Sequence, residues 1–106
     1  MEVSQSDQQG DVATEKKEKS EVEEPRRFKV IFHNDNFTTM EFVVRALETV
    51  FSKTPAEATQ IMLRVHKRGQ GVAGVYTREV AETKVHQTQK WARQEGHPLM
   101  VTMEPE

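Results

Sequence analysis

The chain contains no cysteine, and this absence excludes several kinds of chemistry at once. Disulfide bonds, thiolate metal sites and cysteine nucleophiles all need the thiol group. No stretch of sequence approaches the ~18 apolar residues that a membrane-spanning helix requires, and the amino terminus lacks a basic segment followed by an apolar core. We therefore expect a cytoplasmic protein that does not bind a membrane.

The chain also has no large excess of positive or negative charge. The chain has 15 Lys and Arg residues against 17 Asp and Glu residues, so it offers no basic footprint for nucleic acid. Residues 1–26 are rich in charge and poor in apolar side chains, and they cannot offset a chain entropy of roughly 1–2 kcal/mol per residue. We predict a disordered charged extension over residues 1–26 and one folded domain over residues 27–106.

The apolar patterns of the folded part predict the order β-α-α-β-α-β. Alternating or β-branched apolar residues predict three strands, over Phe28 to Phe32, Gly71 to Tyr76 and Leu99 to Met103. Three strands alone would leave both faces of a sheet open, so apolar helix faces must cover one of them. The predicted fold class is α+β, a compact two-layer domain with a three-stranded antiparallel sheet packed on helices.

Three helices are predicted from apolar spacings of three and four residues and from capping signals. The first runs from Met40 to Phe51, with Thr38 and Glu41 predicted as a capping box. Thr54-Pro55-Ala56-Glu57 is a strong start signal for the second helix, and Gly69 is its expected end. The third helix is expected to follow Thr77 and to end near Gly96, with Val80 among its buried residues.

Enzymatic chemistry finds little support in the sequence. Ser52 is the one serine of the folded part, and no histidine or acid lies beside it to activate it. The four histidines, at positions 33, 66, 86 and 97, show no metal-ligand spacing, although a site formed in three dimensions by His33, Asp35 and His66 stays open. We expect a protein without catalytic residues, metal or cofactor.

The segment from His33 to Phe42 is the best candidate for a binding site. It places polar acceptors between a predicted strand and a predicted helix, where two packed elements can hold them while they stay open to a ligand. Apolar residues of the first two helices would lie nearby, and methionine among them can adapt to several ligand shapes. The sequence therefore predicts recognition of a ligand that has both a polar and an apolar part.

Several motifs in unbroken order resemble one known family. They are His33 to Val44, Ala58 to Leu63, Val65-His66, Gly74 to Val85 and His97-Pro98-Leu99. The chain from about residue 27 to residue 104 is similar to the bacterial ClpS adaptors, which deliver N-degron substrates to a ClpA-type AAA+ unfoldase. The resemblance implies a monomeric adaptor that is not an enzyme and that binds proteins with a free amino-terminal Leu, Phe, Tyr or Trp.

The resemblance also implies roles for particular residues. By position, the α-amino group would be bound by Asn34, Asp35, Asn36 and His66. The hydrophobic pocket would be lined by Thr38, Met40, Val43, Met62, Val65 and Leu99, with Met40 excluding β-branched first residues. The unfoldase would be contacted by Tyr76, Glu79 and Lys84, and the amino-terminal extension would engage the unfoldase pore.

One departure from the family pattern concerns Asn36, because the family usually has aspartate there. A neutral amide oxygen is a weaker acceptor for an ammonium group than a carboxylate, so we predict binding weaker by about 1 kcal/mol. Two other readings remain open. The same β-α-α-β-α-β order is found in protein-interaction modules of ribosomal-stalk type, which would show no dependence on an amine, and a small metal-dependent enzyme would contain metal.

Overall fold

The structure is a computed structural model, and it describes residues 26–106. The predicted extension over residues 1–26 therefore lies outside the described residues except for its last residue. The elements follow the predicted order: β1 Arg27–His33, α1 Met40–Val50, α2 Pro55–Arg68, β2 Gln70–Thr77, α3 Arg78–Gln94 and β3 Met100–Pro105. In this part of the chain no helix is both long enough and apolar enough to cross a membrane.

The three strands form one antiparallel sheet in the order β2-β1-β3. The first strand in sequence is central because both later strands pair with it. The register against β2 shifts between Val30 and Ile31, which leaves Ala73 as an extra residue on β2. Such a bulge bends the strand locally. The fold class predicted from the sequence is confirmed.

The helices cover one face of this sheet. Val30 and Phe32 of β1 are fully buried beneath them and share the core with Phe42 and Leu47 of α1. On the opposite face Lys29 pairs with Glu104 at 3.4 Å. The result is the predicted two-layer domain with a single apolar core.

The cap of α1 differs from the prediction, although the helix begins at Met40 as predicted. Its cap is Thr39, whose hydroxyl oxygen accepts a hydrogen bond from the Phe42 backbone N–H at 3.1 Å. The predicted capping box of Thr38 and Glu41 is wrong because the Thr38 hydroxyl donates to Asp35 instead. The helix therefore begins one residue later than that box would place it.

The ends of α2 follow the prediction. Thr54 and Glu57 form a reciprocal capping box, and Gly69 closes the helix with a φ of 90°, a conformation that favours glycine. Two residues further on, Gly71 allows α2 to pack closely on β2, because a Cβ atom there would lie 2.9 Å from Val65 Cγ2. These features hold the carboxyl end of α2 against the sheet.

The helix faces were predicted with some errors. The apolar spacings predict a buried stripe on the first helix that consists of Met40, Val43, Val44, Leu47, Val50 and Phe51. The structure also buries Phe42 and Ala46 fully in α1. Val80 was predicted to be buried in α3, but 42% of its surface is exposed, and it lines a shallow groove on that helix. Gly96 ends α3 as predicted: its N–H donates to the Arg93 carbonyl oxygen, and the next N–H, of His97, donates to that of Ala92.

Candidate functional site

The loop between β1 and α1 is fastened at its first residues. The Asn34 backbone N–H donates to the Gly69 carbonyl oxygen at 2.9 Å, which joins the loop to the end of α2. The neighbouring His33 ring Nε2 lies 2.7 Å from the Thr102 hydroxyl oxygen on β3. The loop is thereby held by the last turn of one helix and by the sheet.

Asp35 organises the rest of the loop. Its Oδ1 accepts hydrogen bonds from the backbone N–H groups of Phe37 and Thr38, both at 2.7 Å, and its Oδ2 accepts one from the Thr38 hydroxyl at 2.7 Å. Burial of the carboxyl group acts to raise the pKa of Asp35, but these hydrogen bonds, with a smaller contribution from the charge of His97, outweigh it and lower the pKa. Because a carboxylate has about four acceptor positions, Oδ2 keeps one for a ligand.

A cavity of about 280 Å³ lies between this loop and the first two helices. Nine of the ten residues expected to bind the amino group or form the pocket line it: Asn34, Asp35, Asn36, Thr38, Met40, Val43, Met62, Val65 and His66. They come from the loop, from α1 and from α2. The folded chain thus brings together residues that are up to 32 positions apart in sequence.

Leu99 is the exception among these ten residues. It lies just before β3, only 1% of its surface is exposed, and it belongs to the main core. It is not among the side chains that line the cavity. Its expected role in the pocket therefore has no counterpart in the wall of the cavity.

The cavity has a polar end and an apolar end. Asn34, Asn36 and His66 are exposed and offer amide oxygens and an imidazole nitrogen, whereas Val43 and Val65 are buried. A small molecule with a cationic group next to an apolar side chain could use both ends. Within residues 26–106, no three His, Asp or Glu side chains are placed to hold a metal ion.

The residues expected to contact an unfoldase lie elsewhere, around the junction of β2 and α3. Glu79 and Lys84 line one shallow groove on α3. Burial raises the pKa of Tyr76, whose ring lies 5.2 Å from the Lys84 Nζ atom. Lys84 has an additional structural contact, because Nζ donates to the Val50 carbonyl oxygen at the end of α1 at 2.7 Å.

The two regions are at opposite ends of the central strand. Tyr76 pairs with Phe28 near the start of β1, whereas Asn34 follows the last residue of that strand. Six residues at roughly 3.3 Å each separate these levels by about 20 Å along the strand. A ligand in the cavity would therefore leave Tyr76, Glu79 and Lys84 free to contact a partner.

Sequence reasoning missed a second depression beside the cavity. It is lined by Met40, Glu41, Val44, Arg45 and Met62, and we call it the α1–α2 groove. Met40 and Met62 belong to both depressions. The sequence shows one wall of this depression, because Val44 follows Met40 by four residues and so lies on the same helix face, but the position of Met62 beside them depends on the packing of α2.

Comparison with known proteins places the chain in a family. The family model described as ATP-dependent Clp protease adaptor protein ClpS matches residues 23–102. A ClpS adapter protein from Desulfatibacillum aliphaticivorans is 59% identical over 97 residues, which cover 92% of this chain and 91% of that protein. One from Deinococcus radiodurans is 55% identical over 93 residues, covering 88% of this chain and 82% of that protein.

A solved structure agrees with this assignment. It is that of Agrobacterium tumefaciens ClpS2 bound to L-phenylalaninamide, which is 36% identical in sequence and superposes with a TM-score of 0.75. The match covers 78% of this chain and all of that one. The ClpS family consists of adaptors of a protease and not of enzymes, which confirms the expectation of a non-enzymatic protein. The chain belongs to the ClpS family of ATP-dependent Clp protease adaptors.

Proposed function

We propose that this adaptor recognises proteins by a free amino-terminal Leu, Phe, Tyr or Trp and delivers them to a Clp AAA+ unfoldase. The observation that carries the proposal is the division of one cavity into a polar end and an apolar end. An amino-terminal residue with a large apolar side chain has the same division, since its α-ammonium group and its side chain leave the same carbon atom.

The polar end fits a cation. Asn34 and Asn36 can each turn an amide oxygen to an ammonium group, and an unprotonated ring nitrogen of His66 can also accept a hydrogen bond. Asp35 adds a negative charge and one free acceptor position on Oδ2. Because its pKa is lowered, this carboxyl group stays ionised at neutral pH. In this proposal Asp35 acts twice, by shaping the loop and by attracting the amine.

The apolar end fits a large side chain. A dry cavity of roughly 150 Å³ is enough to hold benzene, so the whole cavity of about 280 Å³ has room for a phenyl or an isobutyl group together with the amine. Met40 stands at its edge with 43% of its surface exposed, where it can crowd a side chain branched at Cβ. The structure of Agrobacterium tumefaciens ClpS2 supports the proposal, because L-phenylalaninamide has a free amine and a benzyl side chain.

The expected affinity is moderate. Two or three hydrogen bonds to a charged group contribute roughly 1.5–3 kcal/mol each, and burial of a large apolar side chain contributes roughly 1.5–3 kcal/mol. After the cost of association, this corresponds to a Kd in the micromolar range. Such an affinity suits a carrier that must release its cargo.

A direct test uses peptides that differ only at their first residue and its amine. We expect a Phe-led peptide to bind at least tenfold more tightly than its acetylated form and than a Val-led peptide. Fluorescence anisotropy with a label at the carboxyl end measures this. Equal binding of the free and acetylated peptides would refute amine recognition and favour a general protein-interaction module.

We further propose that the unfoldase binds the surface formed by Tyr76, Glu79 and Lys84. The separation of this surface from the cavity supports the idea, since a carrier must hold cargo and unfoldase together. We expect a saturating Phe-led peptide to leave binding to the amino-terminal domain of the unfoldase unchanged, and Glu79→Arg to weaken that binding only. Competition between peptide and unfoldase domain would contradict the arrangement.

A further inference from the structure

We infer that the α1–α2 groove is a second subsite that takes an apolar side chain from the second residue of the bound protein. This inference rests on the proposed recognition of a free amino-terminal residue in the neighbouring cavity. It adds a substrate preference that the first residue does not supply.

The groove is a sizeable and mainly apolar depression. Its volume is about 540 Å³, larger than that of the cavity, and Met40, Val44 and Met62 supply its apolar wall. None of these three side chains is fully buried, and Met40 exposes 43% of its surface. The groove therefore leaves apolar surface in water that a ligand could cover.

One side of the groove is held in place by an ion pair. Arg45 Nη2 donates to Glu95 Oε1 at 2.8 Å, and Nη1 donates to Oε2 at 3.4 Å. The same guanidinium group lies 5.6 Å from the ring centroids of Phe42 and Trp91. Two of its N–H donors are engaged by Glu95, so Arg45 forms a fixed wall of the groove, and Met40, Val44 and Met62 supply the apolar surface beside the exposed carboxylate of Glu41.

The geometry of an amino acid directs the second residue to this groove. The bonds from Cα to the nitrogen, to the side chain and to the carbonyl carbon diverge by about 110°. If the nitrogen lies at the polar end and the side chain enters the cavity, the carbonyl carbon points away from both. Met40 and Met62 line the cavity and the groove alike, so a chain that leaves the cavity over these two side chains enters the groove.

The distance and the adaptability of the wall agree with this path. The second Cα lies 3.8 Å from the first, so the second side chain leaves the backbone only one residue away from the cavity. Methionine has three rotatable bonds and can reshape to fit side chains on both of its sides. An unbranched or γ-branched apolar side chain such as Leu or Met is the chemistry that this wall favours.

The test compares Phe-Leu-led and Phe-Ala-led peptides of otherwise identical sequence, each free and acetylated, by fluorescence anisotropy. We expect the free Phe-Leu-led peptide to bind roughly three to five times more tightly than the Phe-Ala-led one, because an open groove covers only part of the side chain. In Val44→Thr, which replaces one methyl group by a hydroxyl group of similar size, this ratio should fall below about two. The control Val72→Thr, an exposed valine on β2 outside both depressions, should keep the ratio of the unmodified protein.

The outcomes separate the two proposals. If the free peptides bind more tightly than the acetylated ones but Leu and Ala at position two bind alike, the second subsite is refuted and amine recognition stands. If free and acetylated peptides bind alike, amine recognition itself fails and the subsite falls with it. If the preference for Leu persists in Val44→Thr, it arises elsewhere and the assignment to the groove is overturned.

Discussion

Lys84 allows a test that separates the stability of the domain from its contacts with a partner. Its Nζ atom donates to the Val50 carbonyl oxygen at the carboxyl end of α1, a helix with no basic residue in its own last turn. The ammonium group also lies 5.2 Å from the Tyr76 ring and 5.7 Å from the Phe51 ring. Lys84→Met removes the charge and the hydrogen bond but keeps most of the aliphatic chain.

The expected loss can be worked out from these contacts. A hydrogen bond to a charged group contributes roughly 1.5–3 kcal/mol, and a cation at a helix carboxyl end or over an aromatic ring adds roughly 0.3–1 kcal/mol. Lys84 is only half-buried and water can reach the freed carbonyl group, which reduces the sum. We expect Lys84→Met to lower the free energy of unfolding by about 1–2 kcal/mol, or the Tm by roughly 4–16 °C for a domain of this size.

Urea denaturation followed by circular dichroism measures this change. Lys90→Met is the matched control, because Lys90 is an exposed lysine of the same helix. We expect the control to change stability by less than about 0.5 kcal/mol. If the two variants are equally stable, the contacts of Lys84 with the end of α1 contribute nothing. If the expected loss is found, weaker unfoldase binding by Lys84→Met cannot by itself be assigned to a lost intermolecular contact.

Three further predictions concern the site. Asn36→Asp should tighten binding of a Phe-led peptide about fivefold in an anisotropy titration, because a carboxylate replaces a neutral acceptor; an unchanged Kd would show that position 36 does not contact the amine. Asp35→Asn should reduce stability at neutral pH by about 1 kcal/mol. Because folding lowers the pKa of Asp35, its contribution to the free energy of unfolding is fully present above the unfolded pKa of roughly 3.9 and is lost as the pH falls through the folded pKa. The stabilities of the two proteins, measured by denaturation, should therefore converge below about pH 4. A difference that stays constant with pH would contradict this. Gly71→Ala should lower the free energy of unfolding by roughly 1–3 kcal/mol, since its Cβ would lie 2.9 Å from Val65 Cγ2. It should also weaken peptide binding, because Val65 lines the cavity. Unchanged stability would show that α2 can shift freely.

Local signals in the sequence were enough for most of the secondary structure. The capping box at Thr54 and Glu57 and the left-handed Gly69 are satisfied by residues close in sequence, so the sequence alone reveals both ends of α2. The residue that caps α1 could not be identified in this way. Thr38 and Thr39 are equally suited to cap a helix, and the choice depends on the carboxylate of Asp35, which engages the Thr38 hydroxyl.

The candidate site was likewise predictable from the sequence only in part. The polar loop residues were predicted as a group because they are consecutive. Leu99 was expected to line the pocket because of its residue type and its position in the sequence. It is buried in the core and does not line the cavity. The α1–α2 groove was missed because it depends on how far two helices stand apart, which spacing within either helix does not encode.

The sequence by itself determined the order of the elements, the absence of thiol chemistry and the polar loop of the ClpS family. These depend on composition and on interactions between near neighbours. Only the tertiary structure decided that the loop at Asn34 is joined to Gly69 at the end of α2, that Lys84 reaches the end of α1, and that Met40 and Met62 divide two depressions. Contacts between distant residues depend on how the helices pack on the sheet, and close packing of the core sets those positions.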